Sequence, residues 1–368
     1  MKSFLDNLDD ESKKRIKIFG VAIVVFILLI IVIAIIVAIV NRRTSYEEME
    51  EIMAKAAYKY YEDNKGQLPT EEVKTTVVSA QTLVEKEYMK SISKYTKDES
   101  CSGNVVVTYK DGEYYYQPFL TCKGFATSLL IDKLKKDSPV VASGDGLYDE
   151  AGVLRFRGEY VKNYLKLDGF LYRIIKIDSD NKVYITPDFL DDNDESIYLI
   201  WDNRYNTESD TYSGINDYSL SRIKKSLNNL YDNFGTTIKA NTVKFSTCIG
   251  KRGFTDQNNG VECNVFDESY INLIPTYEYI KASLAPACSS PSSKECANYN
   301  YLHNEDYSWW TATGSTENTD DIYYVSLNGE IDKERGDTSK VARFVLALKP
   351  DVVLRSGNGT KKTPYEIR

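Results

Sequence analysis

The chain of 368 residues has room for two modest domains, since one usually takes roughly 100–200 residues. Charged residues are 27% and aromatics 12%, which excludes a collagen-like or wholly disordered chain. The net charge of −8 leaves no basic footprint for nucleic acid, and the single histidine, His303, excludes any site built on two imidazoles.

Ile18 to Val40 is a run of 23 residues without a charge. As a helix it would reach about 34 Å, enough for a hydrocarbon core of roughly 30 Å, so a transmembrane helix in contact with membrane lipid is expected over 18–40. The run is too long for the apolar part of a signal peptide and lacks a small-x-small cleavage site, which favours an uncleaved anchor. Lys13, Lys14, Arg15 and Lys17 precede it and outnumber Arg42 and Arg43 behind it. All six cysteines follow residue 100. Both facts predict a single-pass cell-membrane protein, with a cytoplasmic tail at 1–17 and an extracellular, oxidising setting for 41–368.

A module over 41–136 comes next. Met49, Ile52, Met53, Ala56, Ala57 and Tyr60 repeat with helical spacing, and the helix is expected to end near Asn64, before Gly66 and Pro69. Ser79 reads as the N-cap of a second, short helix. Asn104 to Lys110 and Glu113 to Leu120 alternate like strands around Asp111-Gly112, a strong two-residue hairpin signal. That turn pairs each residue with the one whose number completes 223, so Cys101 and Cys122 face each other at the base of the hairpin and are expected to bond. The long helix followed by a small sheet resembles type IV pilins and pseudopilins. Gly20 could stand where prepilins are cleaved, but the fifth residue on is Val25, not the glutamate of that pattern.

Residues 137–158 mix Ser, Pro, Gly and Asp and read as a linker. Beyond it, strands are expected over Glu159 to Leu167, Phe170 to Ile177 and Lys182 to Thr186. A helix follows over Ser219 to Asn233, then strands over Ile322 to Leu327, Val341 to Leu348 and Val352 to Leu354. Gly144 to Tyr148, Arg155 to Gly158, Asn163 to Ile175, Trp201 to Tyr205, Ser221 to Asn228, Tyr299 to Leu302 and the ending Gly357 to Thr360 with Pro364 and Tyr365 resemble surface proteins of Gram-positive bacteria. Their distal domain is similar to the C-type-lectin-like and formylglycine-generating-enzyme (sulfatase-modifying factor) group. The resemblance implies a C-type-lectin-like domain over 159–368. It matches Trp309 and Trp310 to that family's paired aromatic strand and Arg343 to the arginine near its last core strand. A Trp pair facing both sides of a strand reads as core plus rim before it reads as a sugar platform. Arg343, inside an apolar run, reads as closing a buried carboxylate or carbonyl network.

The residues exclude more chemistry than they suggest. Cys248 and Cys263 bracket a Gly/Asn-rich loop and Cys288 and Cys296 a Ser/Pro/Lys loop, favouring two local bridges among the three connectivities that four thiols allow. This spacing does not present the late copper-binding cysteine pair of formylglycine-generating enzymes. No CxxC pairs suggest zinc, and neither a serine elbow nor a phosphate loop is present. His303 reads as a lone solvated side chain. The acidic run Asp191 to Glu195 and the pair Asp320-Asp321 read as solvated loops, with an irregular calcium site as the alternative, and Asp320 and Asp321 as candidate binding residues. The expectation is thus an α+β protein without a resident cofactor and without catalysis. An N-terminal transmembrane helix and a small helix-plus-hairpin module would present a disulfide-braced domain that binds an extracellular glycan or protein. The alternatives are a minor pilin-like or pseudopilin-like subunit with an adhesive tip, or an enzyme that is formylglycine-generating-like or built on carboxylates.

Overall fold

The computed structural model describes residues 43–110, 112–188 and 197–367, together with Ile27, Leu28 and Ile31. The chain divides into two compact units, Met1–Thr127 and Ser128–Arg368. Residues 137–158 are therefore not a linker. They carry the hairpin of Gly146–Glu150 and Val153–Arg157, whose second strand pairs with Phe170–Ile177 inside the second unit.

The expectations for the N-terminal region are corrected. Among the described residues no helix is long and apolar enough to cross a membrane. The segment 18–40 lies outside the described residues except for Ile27, Leu28 and Ile31, so neither the spanning helix nor the single-pass cell-membrane topology has support. The longest described helix, Tyr46–Asp63, cannot serve as a span, because Glu51, Lys55, Lys59 and Glu62 give it an exposed charged face. The expected α+β class is corrected as well. Among the described residues the chain is mostly β, with more residues in strands than in helices. Many strands are only two to five residues long, such as Thr242–Val243 and Lys251–Arg252, too short for an alternating pattern to reveal them.

In the first unit, Ser45 and Glu48 form a reciprocal capping box at the start of the Tyr46–Asp63 helix. Met49, Met53, Ala56, Ala57 and Tyr60 form its buried stripe, against a four-stranded antiparallel sheet ordered Thr75–Ser79, Ser102–Lys110, Glu113–Cys122, Phe125–Ala126. The hairpin keeps the expected register, from Lys110 opposite Glu113 to Ser102 opposite Thr121. One step further, Cys101 and Cys122 are bonded with their Cα atoms 4.1 Å apart. Ser79 caps the short helix Ala80–Glu85 by accepting from the Thr82 amide.

In the second unit, Phe344–Leu348 is buried at every position and is the hub of the larger sheet. It pairs with Val183–Pro187, Thr242–Val243 and Asn272–Leu273. A smaller sheet centres on Trp309–Ser315, also buried throughout, with Asp321–Val325 antiparallel beside it and Ser339–Val341 and Lys251–Arg252 parallel. The strand expected from Val341 to Leu348 is two strands. The chain breaks at Ala342 and Arg343 as it passes from the smaller sheet to the larger. The helix Arg222–Asp232, capped by Ser221, buries Ile223, Leu227 and Tyr231. Cys248 is bonded to Cys263 and Cys288 to Cys296, the two local bridges.

Candidate functional site

The family positions lie in the core. Trp309 and Trp310 are both fully buried, so the core-plus-rim expectation is corrected: sheet neighbours and packed segments cover both faces of their strand. Trp309 meets Tyr279 edge-on, and the Trp310 indole donates to the Leu199 carbonyl at 3.0 Å. The Arg343 guanidinium lies 5.3 Å from the Trp309 ring centre and donates to the Leu302 carbonyl at 2.6 Å. These three residues build the scaffold and present nothing to a ligand. His303 is half-buried, and its Nε2 lies 3.1 Å from the Leu327 carbonyl.

Asp320 is placed differently. The turn between Trp309–Ser315 and Asp321–Val325 runs Thr316, Glu317, Asn318, Thr319, Asp320, and it forms one wall of a cavity of about 630 Å³. Asn216 holds this turn in shape. Its side-chain amide donates to the carbonyls of Ser315, Asn318 and Asp321 at 2.8, 2.6 and 3.0 Å, and its backbone amide donates to the Thr319 carbonyl. Asn206 adds a second tie, donating to the Gly214 carbonyl at 2.9 Å and to the Thr319 hydroxyl at 3.1 Å. Asp321 begins the next strand and accepts from the Asn318 amide, so the acidic pair is split between cavity wall and scaffold.

Glu208 and Ser209 supply another part of the wall, and Lys251 reaches it from the strand paired with Gly314. The side chains of Glu208, Lys251 and Asp320 make no hydrogen bond or ion pair with any described residue. Glu317, by contrast, pairs with Lys333 and accepts from the Phe254 amide, and these donors hold its carboxyl below the usual carboxylate range. The segment that carries Glu208 also presents Tyr205 and Tyr212, 45% and 70% exposed, with ring centres 5.3 Å apart. The cavity thus offers carboxylates, an ammonium, hydroxyls and an amide, beside a segment that bears exposed aromatic rings.

Composition and motif reading missed Glu208, Ser209, Lys251 and Asn318. The polar run after an apolar strand could have marked the turn. Nothing local could have brought Lys251 to it, some sixty residues away along the chain.

Metal chemistry finds little purchase among the described residues. The one group of three or more close-set acidic, cysteine or histidine side chains is Asp98 with Cys101 and Cys122, and its sulfurs are bonded to each other. Asp320 and Asp321 belong to no such group. The run Asp191 to Glu195 lies outside the described residues. All six cysteines are in disulfides, so no thiolate remains as nucleophile or ligand. No protein-family model, no curated protein and no solved structure matches the chain.

Proposed function

We propose that the second unit is a disulfide-braced recognition domain that binds a saccharide in the cavity walled by Glu208, Lys251 and Asp320. One observation carries the reading: three charged side chains face one cavity with no partner in the described fold, while a dedicated asparagine shapes the turn beside them. Charges that serve the fold are paired, as Arg252 is with Glu262 at 3.1 Å. Sugars are bound by such mixed donors and acceptors, with aromatic faces taking their apolar sides. Three disulfides support an oxidising compartment for this work. The resemblance to C-type-lectin-like surface domains supports the same class of function.

Screening the full chain against an oligosaccharide array, followed by calorimetry on the best ligand, tests the reading. Asp320→Ala and Lys251→Ala are each expected to weaken binding about tenfold or more, as loss of a charge-assisted hydrogen bond does. Unchanged affinity in both variants would move the site elsewhere, and absence of any saccharide ligand would remove the reading. Release of a new reducing end during incubation would replace it with a glycosidase, for which two of the wall carboxylates would suffice. A second reading, a pilin-like subunit with an adhesive tip, has the helix-on-sheet build of the first unit in its favour. Assembly of the purified chain into filaments would favour it.

A further inference from the structure

Away from that turn, a buried lysine and a buried asparagine meet a half-buried aspartate. Lys224, in the first turn of the Arg222–Asp232 helix, is 7% exposed. Its Nζ donates to Asp267 Oδ2 at 2.5 Å and to Asn272 Oδ1 at 2.7 Å, with the Ile271 carbonyl at 3.4 Å and the Tyr218 ring centre at 5.7 Å. Asn272 is fully buried on the strand that pairs with the hub strand, opposite Val345. Its Nδ2 has no hydrogen-bond partner.

Asn272 Oδ1 satisfies one proton of the buried ammonium, but the unpartnered Nδ2 beside it has no part in that structural role. A buried carboxamide that leaves its amide nitrogen unpartnered loses the hydrogen bonds that nitrogen made in water. The arrangement instead sets a nucleophile, an electrophile and a proton carrier together in a water-poor site. A carbonyl bond is about 1.2 Å long, so the Asn272 carboxamide carbon lies within roughly 4 Å of the lysine nitrogen, and attack needs only a short further approach, to about 3–3.5 Å over the carbonyl face. Burial pushes the Lys224 amine below its ordinary value, which raises the share of neutral, nucleophilic amine, while Asp267 opposes that push.

We propose that Lys224 and Asn272 join through an intramolecular amide bond, formed by the chain itself with Asp267 carrying the proton. Asp267 takes one proton from the lysine ammonium. The freed Nζ electron pair attacks the Asn272 carboxamide carbon, and the Nζ–C bond forms as a second Nζ proton passes by way of Asp267 to Nδ2. The C–Nδ2 bond then breaks, ammonia leaves, and it takes up the remaining proton as ammonium. The products are the new amide, the Asp267 carboxylate and ammonium. No oxidant, reductant or co-reactant is needed. The bond would tie the helix to the core sheet across 48 residues and enclose the Cys248–Cys263 bridge.

Intact-mass measurement of the reduced, denatured full chain tests this directly. The expected mass is that of the sequence less one ammonia. Tandem spectra should contain a branched peptide joining Lys224 to Asn272, and trypsin should fail to cut after Lys224. Lys224→Arg and Asn272→Ala should each restore the full mass of their own sequences. Asp267→Ala retains both partners, so it should leave them unjoined or join them far more slowly over a time course. A wild-type chain of full mass overturns the proposal, and so does ammonia loss confined to the Asn272 peptide without the Lys224 branch. The wild-type measurement decides the matter even if a variant fails to fold.

Discussion

Glu278 is 6% exposed and accepts from Arg155 at 2.8 and 3.0 Å and from Lys176 at 2.5 Å. Burial pushes its carboxyl up, but Arg155 and then Lys176 outweigh burial and hold it at about 2, against an ordinary 4.5. The folded value lies below the unfolded one. Its stabilisation is therefore complete above about pH 4.5 and is lost as pH falls towards about 2. Glu278→Gln would take the nearest anion from buried Arg155, which keeps Glu150 at 3.4 Å, and from half-buried Lys176, and is expected to cost about 3 kcal/mol in denaturant titrations at neutral pH. It should also flatten the fall of stability between those pH values. An unchanged acid limb would show that this carboxylate does not govern it. Arg343 was open to a residue-scale reading from the sequence, because a cation inside an apolar run must find an acceptor, here the Leu302 carbonyl. The partners of Glu278 were not, since Arg155 and Lys176 lie more than a hundred positions away.

At the scale of elements, the hairpin over residues 102–122 was readable because its turn, alternation and register are all encoded within twenty residues. The cavity turn depends on contacts that no local pattern encodes. Gly214 illustrates this. Its φ is +89°, and a Cβ there would lie 2.5 Å from the Asp202 carbonyl oxygen, so only glycine lets the 205–213 segment close against Asp202. Gly214→Ala is expected to cost more than about 1 kcal/mol, because the native backbone conformation is incompatible with a side chain. It should also weaken saccharide binding by displacing Glu208 and Ser209, while Gly112→Ala, in the other unit, leaves binding unchanged. Thermal unfolding and calorimetry on both variants check this; equal binding by the Gly214 variant would detach that segment from the site.

For the molecule as a whole, the two units have separate hydrophobic cores, one gathered around Met53, Leu83 and Val107 and the other around Trp309, Ile174 and Leu346. The Cys101–Cys122 bridge closes a loop within the first core alone. Cys101→Ser with Cys122→Ser is expected to destabilise the first unit by about 3 kcal/mol in the chain-entropy account. Hydrogen exchange should quicken over 46–122 and stay unchanged over 128–367. Equal loss of protection in both would mean that the two units unfold as one.

What could be known from the chain alone was whatever its near neighbours encode: the helical stripe from Met49 to Tyr60 and its end near Asn64, the hairpin and the bond across its base, and the local cysteine bridges. Each depends on residues close in sequence, where spacing and turn chemistry leave few alternatives. The mostly β class, the burial of both tryptophans, the cavity beside Asp320 and the meeting of Lys224 with Asp267 and Asn272 were decided by packing. Two-residue strands carry no periodic signal, and a side chain's surroundings depend on segments brought together from forty to more than a hundred positions apart. Those features exist only once the apolar faces of the sheets have found each other and fixed which polar groups are left at the surface and which are enclosed.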